Sequence, residues 1–331
     1  TFVANKMTKE IMVNKYNMSD EKCIVSYIGT DTEYFNPYTI TFGTIRQKFN
    51  ISMDQPVVLY LCGISSEKRP LLMVEIARKL QQMIKDVIFL VVGSGNEMEV
   101  VKNKVKEYRL EDTIIFAGSQ KDVRCYYRDS DVLLITSIKE GLTLTTFEAM
   151  SMELPVISAD VGGQSELVNE NTGALIKCLQ DEEKEFNINN FIHEEIDNYV
   201  KALCEFLSNK EKRIKTGKYC RQLIQKHFLF ENAVKDIENE LLKIKNGFGL
   251  EKRRELSTKL NYISNLVDEF LSLYCSYEAK QIEASEVWEG RNWYKSLYEN
   301  ITKTDYRKFM DKTLIARLKK KVINLLKDTK L

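Results

Sequence analysis

The sequence predicts an α/β protein, a doubly wound parallel sheet followed by an α-helical extension. Three observations predict it. Short apolar runs rich in Val, Ile and Phe recur along the chain, and their apolarity is continuous rather than alternating, the pattern of strands buried on both faces. Segments with helical spacing lie between them, as in a parallel sheet with crossover helices. After Lys177 the strand-like runs stop and helical periodicity takes over.

Residues 1–17, TFVANKMTKEIMVNKYN, predict a helix already in progress, and the first residue is Thr1, so the chain is expected to be an excerpt of a longer protein. The apolar runs are IVSYI (24–28), VVLYL (57–61), VIFLVV (87–92), TIIFA (113–117), VLLIT (132–136), PVISA (155–159) and GALIK (173–177). The strand–helix alternation occupies about residues 55–180. Residues 70–83 place Leu72, Val74, Ile76, Ala77 and Leu80 largely on one side, and residues 97–110 do the same with Met98, Val101, Val105 and Tyr108. Residues 178–192 are acidic and polar and predict a loop. Helices are expected over 195–208, 211–228 and 231–245, with NGFG (246–249) as a break before a charged, tyrosine-rich helical tail.

Composition narrows the function classes. Lys plus Arg is 49 and Asp plus Glu is 48, a net charge of +1, which gives no electrostatic case for nucleic acid. The seven cysteines are scattered and form no C-x-x-C pair, so neither a zinc site nor a disulfide framework is indicated and a reducing, cytoplasmic compartment fits. No apolar run approaches the roughly 20 residues needed to span a bilayer.

Ligands of parallel sheets bind at the carboxyl ends of the strands, where helix amino-termini offer unpaired N–H groups to anions. After VVLYL comes CGISSEKRP (62–70). Lys68 there can reach a phosphate as a point charge, although a solvated surface lysine is the commoner use. After VIFLVV comes GSGNE (93–97), in which Gly93 and Gly95 allow a tight turn and close backbone approach; a plain strand-to-helix turn would use them equally. After TIIFA comes Gly118, again before a helix start. After VLLIT comes KEGLTLTTFEAM (139–150). Glu140 ends the loop, Gly141 to Leu144 make the turn, and a helix beginning near Thr145 carries Glu148 in its first turns. A loop acid in water and an acid complementing a helix dipole would explain the two glutamates without a ligand. The alternative is a diphosphate held by the N–H groups of Thr143 to Thr145, flanked by two carboxylates that accept sugar hydroxyls. That arrangement suits a nucleotide-sugar.

Residues 1–243 resemble the retaining, group 1 (family 4) glycosyltransferases of the GT-B fold. The carrying motif is the E-x7-E element, Glu140 to Glu148, in EGLTLTTFEAMSMELPVISADVGGQSELV (140–168), with SDVLLITS before it, GSG after VIFLVV and EKRP at 67–70, all in the family's order. The resemblance implies the Rossmann-like C-terminal half of that fold. It also implies three domains: a remnant of the N-terminal domain and hinge at 1–37, a donor-binding domain at 38–245 and the helical extension at 246–331. Glu148 would hold the donor ribose, and Glu140 would contact the donor sugar near the anomeric carbon. Lys68 would neutralise the leaving diphosphate, and Gly141, Leu142, Thr143, Leu144 and Thr145 would cradle it, with Gly63, Gly93, Gly95 and Gly118 lining the donor pocket. No metal or other cofactor is expected.

Three departures from the family pattern stand out. The arginine of its G-R-x-x-x-E-K element is absent, with Cys62 and Gly63 in the aligned places. Thr143 stands where a small residue is common. YIGTDTEYFNP (27–37) matches only the hinge, so the acceptor-binding domain and its histidine lie outside the sequence; His193 and His227 do not match that histidine and fit surface or helix-packing positions. The implied partners are a nucleotide-sugar donor, a glycan or lipid-linked acceptor in polysaccharide biosynthesis, and the missing N-terminal domain. In the tail, Trp288, Trp293, Tyr294 and Leu297 form a packing face rather than a cofactor box. The basic amphipathic stretch 316–328 suits either a helix–helix contact, the commoner use, or peripheral contact with the inner face of an anionic membrane. A non-catalytic nucleotide-binding or scaffold domain derived from this fold is the rival expectation, and a sugar-nucleotide epimerase a third.

Overall fold

The structure is a computed structural model in which residues 1–179 and 191–247 are described. Contacts divide the chain into two compact units, Thr1–Ala233 and Val234–Leu331. The first opens with strand β1 (Phe2–Val3), helix α1 (Lys6–Asn14) and strand β2 (Ile24–Val25), with β1 and β2 paired in parallel. The helix expected over 1–17 is thus shorter: Asn5, whose side chain accepts from the Thr8 N–H, caps it, and residues 2–3 are extended by pairing with residues 24–25. A short helix α2 (Thr44–Lys48) leads into the main sheet.

That sheet comes from β3 (Val57–Leu61), α3 (Pro70–Leu80), β4 (Ile88–Val92), α4 (Met98–Glu107), β5 (Ile114–Gly118), α5 (Arg124–Arg128), β6 (Val132–Ile135), α6 (Leu144–Ser151), β7 (Val156–Ala159) and β8 (Gly173–Ile176). Its six strands are parallel in the order β5-β4-β3-β6-β7-β8. Each lies within one residue of the apolar run that predicted it. The alternating residues of a strand go to opposite faces, and both faces are covered. Val58, Tyr60, Phe89 and Val91 join a core with Leu72 and Ile76 of α3 and Val105 of α4. Val57, Leu59, Ile88 and Leu90 join a second with Tyr126 and Tyr127 of α5 and Phe147 and Met150 of α6. Helix α7 (His193–Ser208) adds Tyr199, Leu203 and Phe206 to the first core, and α8 (Lys210–His227) adds Cys220 and Ile224 to the second. Helix α9 (Phe230–Gly247) runs into the expected break at 246–249, past Asn246 and through Gly247. His193 and His227 are exposed. The expected tail features at 250–331, and most of the loop at 178–192, lie outside the described residues.

Two polar clamps hold the irregular segments on this core. Asp129, buried after α5, accepts from the N–H groups of Gly43 and Ile45 at 2.6 Å each, fixing the start of α2. Arg221 of α8 donates to the carbonyls of Thr32, Phe35 and Ser151, pinning residues 30–37 against the end of α6. Among the described residues no helix is long and apolar enough to cross a membrane.

Candidate functional site

In the strand order, β3, β4 and β5 proceed one way from the middle of the sheet and β6, β7 and β8 the other. The crevice between the carboxyl ends of β3 and β6 is therefore the topological switch point, where open parallel sheets bind ligands. Lys68 comes from the loop after β3 and Glu140 from the loop after β6. Their side chains meet across the crevice, Lys68 Nζ donating to Glu140 Oε1 at 2.7 Å. Ser137 Oγ donates to the same oxygen at 2.6 Å. Burial pulls the Lys68 ammonium down, but the charge and hydrogen bond of Glu140, with Glu67 adding to them, leave it above the ordinary lysine value.

Lys68 is held at its backbone. Its carbonyl accepts from the Tyr60 hydroxyl at 2.7 Å and from Thr136 Oγ1 at 2.7 Å. Both donors belong to the strands flanking the crevice, Tyr60 in β3 and Thr136 just after β6.

Helix α6 starts one residue earlier than expected, at Leu144, because Thr143 is extended at the cap position (φ −76°, ψ 134°). Among the described residues nothing accepts from the N–H groups of Thr143, Leu144 or Thr145, so three donors and the positive helix end are free for an anion. The cap is braced from behind: Thr143 Oγ1 and Thr146 Oγ1 are 2.6 Å apart, and Gln164 Nε2 donates to Thr143 Oγ1 at 2.9 Å. Gln164 is fully buried and was not anticipated from the sequence.

Glu148 does not point at water as a dipole complement would. It is half-buried and accepts from the Tyr127 hydroxyl at 2.7 Å. Burial pushes its carboxyl above the usual glutamate value, and the Tyr127 hydrogen bond pulls the other way. One carboxylate oxygen remains for a second donor.

The candidate glycines separate into two groups. A Cβ on Gly93 would sit 1.9 Å from the Cys62 carbonyl oxygen, and one on Gly95 would sit 2.2 Å from that of Ile64. Close packing of two strand-end loops accounts for both. Gly63, Gly118 and Gly141 face open space. Leu142 packs into the second core, whereas Leu144 is exposed. The Gly162–Gly163 turn after β7 was not singled out from the sequence. Gly163 N–H donates to the Gly141 carbonyl at 2.7 Å, and Gly162, at φ +59°, lets the turn lie against the Glu140 backbone.

Cys62, where the family pattern has glycine, is pushed up to about 12 by burial, so its thiol stays protonated. Arg69 does not replace the absent arginine, because its guanidinium is buried and turned away toward Thr136 and Glu195. Among the described residues no group of three or more His, Cys, Asp or Glu side chains is placed to hold a metal ion.

The family model described as glycosyl transferases group 1 matches residues 41–223. A UDP-Gal:alpha-D-GlcNAc-diphosphoundecaprenol alpha-1,3-galactosyltransferase of Escherichia coli is 29% identical over 235 residues, 70% of this chain and 56% of that protein. The N-acetyl-alpha-D-glucosaminyl L-malate synthase of Bacillus anthracis is 28% identical over 158 residues, 44% of this chain and 41% of that protein. The chain thus spans about half the length of these relatives. Among solved structures, a glycosyltransferase from Rickettsia africae superposes with a TM-score of 0.63 at 22% identity, covering 73% of this chain and 62% of that one. Anabaena HepE in complex with UDP does so with 0.61 at 19% identity, covering 73% and 63%. The fold is that of these glycosyltransferases, as the sequence pattern predicts.

Proposed function

Because the chain belongs to the group 1 glycosyl transferases, we propose that its crevice between β3 and β6 binds a nucleotide-diphosphate sugar and that the whole protein transfers that sugar, with retention, to a glycan or lipid-linked acceptor. The observation that carries this reading is the Lys68–Glu140 pair beside the free N–H groups of Thr143, Leu144 and Thr145.

The pair suits an exchange of partners. Without donor, each charge compensates the other, which limits the cost of holding both in a partly desolvated crevice. When a diphosphate arrives, Lys68 turns to its oxygens and Glu140 is released to accept from a hydroxyl of the donor sugar. The α6 amino-terminus takes the rest of the phosphate charge. As the bond from the anomeric carbon to the diphosphate breaks, negative charge grows on the leaving oxygen. Lys68 and the helix end stabilise that charge more in the transition state than in the ground state, which is electrostatic catalysis. Glu148 keeps one oxygen on Tyr127 and offers the other to the ribose. No protein nucleophile is required if the acceptor hydroxyl attacks from the face the diphosphate leaves and passes its proton to the departing diphosphate oxygen. No metal is required if the lysine and the helix end carry the charge.

The Escherichia coli relative acts, by its name, on a diphosphoundecaprenol-linked sugar, which supports a lipid-linked acceptor here. The missing arginine at Gly63 favours a second reading, a nucleotide-binding domain without transfer activity. Titrating the chain with UDP, GDP and ADP tests donor binding. Product analysis with a sugar nucleotide and acceptor, on the full-length protein, separates transfer from binding alone.

A further inference from the structure

Arg69 directly follows Lys68 and sits in the left-handed region, at φ +50° and ψ +55°, a conformation a long side chain adopts at a cost of about 1–2 kcal/mol. A glycine would adopt it freely, so the arginine side chain must return something. Its Nε donates to the Thr136 carbonyl at 2.5 Å and its Nη2 to Glu195 Oε1 at 2.6 Å. Both members of the pair are 1% exposed. Glu195 is in the first turn of α7, and its other oxygen accepts from the Leu179 N–H at 3.2 Å. Thr136 closes the circuit, because its hydroxyl donates to the Lys68 carbonyl while its own carbonyl takes the Arg69 Nε.

We propose that Arg69, through its buried pair with Glu195, is a positioning residue that fixes Lys68 against Glu140 across the crevice. The guanidinium is planar and forks between two acceptors, one on the strand end after β6 and one on α7. The loop after β3 is thereby tied to the same strand end whose continuation carries Glu140. An ammonium lacks the rigid planar fork that directs these two bonds from one group, so it would hold the two acceptors less firmly. The functional weight of this inference rests on the donor-site reading of Lys68, but its test requires no donor.

Amine acylation of the intact chain, read lysine by lysine with mass spectrometry across pH 7–11, tests it. Lys68 faces Glu140 and Glu67, with the Cys62 thiol alongside. The Glu140→Gln variant gives the profile of Lys68 without its partner, and exposed Lys106 of α4 is the internal reference. In wild type, Lys68 should titrate above the ordinary lysine value. In Arg69→Lys, and separately in Glu195→Gln, Lys68 should move toward the Glu140→Gln profile while Lys106 stays put. A one-unit fall in its pKa would raise its labelling rate about tenfold. Circular dichroism confirms that each variant scored is folded, and Glu195→Gln, which keeps the side-chain shape, serves if Arg69→Lys does not fold. A general loss of stability would not move Lys68 alone. An unchanged Lys68 profile in the folded variants, with Glu140→Gln shifted, would overturn the proposal. A failure of nucleotide binding would instead count against the donor-site reading and leave the Lys68 result standing.

Discussion

Replacing Gly162 with alanine should damage the site without touching any of its side chains. A Cβ there would lie 1.8 Å from the Glu140 carbonyl oxygen, 2.7 Å from its carbonyl carbon and 2.8 Å from the Gly141 carbonyl oxygen. Ordinary contact begins near 3.4 Å, so about 1.6 Å of movement is demanded, and all three neighbours are backbone. The residue also sits at φ +59°, which costs alanine about 1–2 kcal/mol. Overpacking adds about 1–3 kcal/mol. The expected destabilisation is therefore about 2–5 kcal/mol, or a fall in Tm of roughly 5–15 °C for a unit of this size. If the strain is relieved by moving residues 140–141 instead, Glu140 leaves the 2.7 Å bond to Lys68, and a displacement near 1 Å is worth up to about a hundredfold in a site of this kind. Urea unfolding and nucleotide titration, run on the same preparation, separate the two routes. A variant within about 0.5 kcal/mol of wild type that also titrates normally would refute the reasoning.

Three further substitutions have defined outcomes. Lys68→Ala should weaken a nucleoside diphosphate about 10–100-fold, the range of a charge-assisted hydrogen bond, and leave the parent nucleoside unaffected; calorimetry with both ligands checks this, and equal losses would contradict it. On the donor-site reading Glu148 accepts ribose hydroxyls more strongly as a carboxylate than as the neutral acid, and burial raises its pKa, so nucleotide affinity should rise with pH through a midpoint above the ordinary glutamate value of about 4.3. Tyr127→Phe removes the downward pull and should move that midpoint higher, while Glu148→Gln, titrated in parallel, isolates the ligand's own phosphate ionisation. Asp129→Ala deprives the buried N–H groups of Gly43 and Ile45 of their acceptor and should cost about 2–4 kcal/mol in urea unfolding; a loss under about 1 kcal/mol would show that α2 does not depend on this clamp.

The sheet was legible because parallel strands buried on both faces leave an unbroken apolar run, and VVLYL or VLLIT needs no partner to be recognised. Strand β1 was not, since Phe2–Val3 is two residues long and extended only through pairing with residues 24–25. The same division runs through the site. Lys68, Glu140 and Glu148 stand in strand-end loops or at a helix start, and local pattern places them there. Tyr127, Gln164 and the Gly162–Gly163 turn act on partners brought close only by the fold. A Gly-Gly pair two residues beyond an apolar run, in the same ring of strand-end loops, was the one signal that pointed to the turn. Arg69 was not singled out from the sequence. Its partner Glu195 is 126 residues away, and a buried ion pair of that separation leaves no local periodicity. At Gly93 and Gly95 the fold adds a demand the local pattern did not show, because a Cβ on either would meet the backbone of the loop after β3.

Calorimetric titration of the chain with UDP, GDP and ADP, beside the same titrations of Glu148→Ala, tests the central claim most directly. The donor-site account predicts that wild type binds one of these nucleotides and that the variant loses at least tenfold in affinity for it. Equal affinity in the two proteins, or no binding of any of the three by wild type, would contradict it.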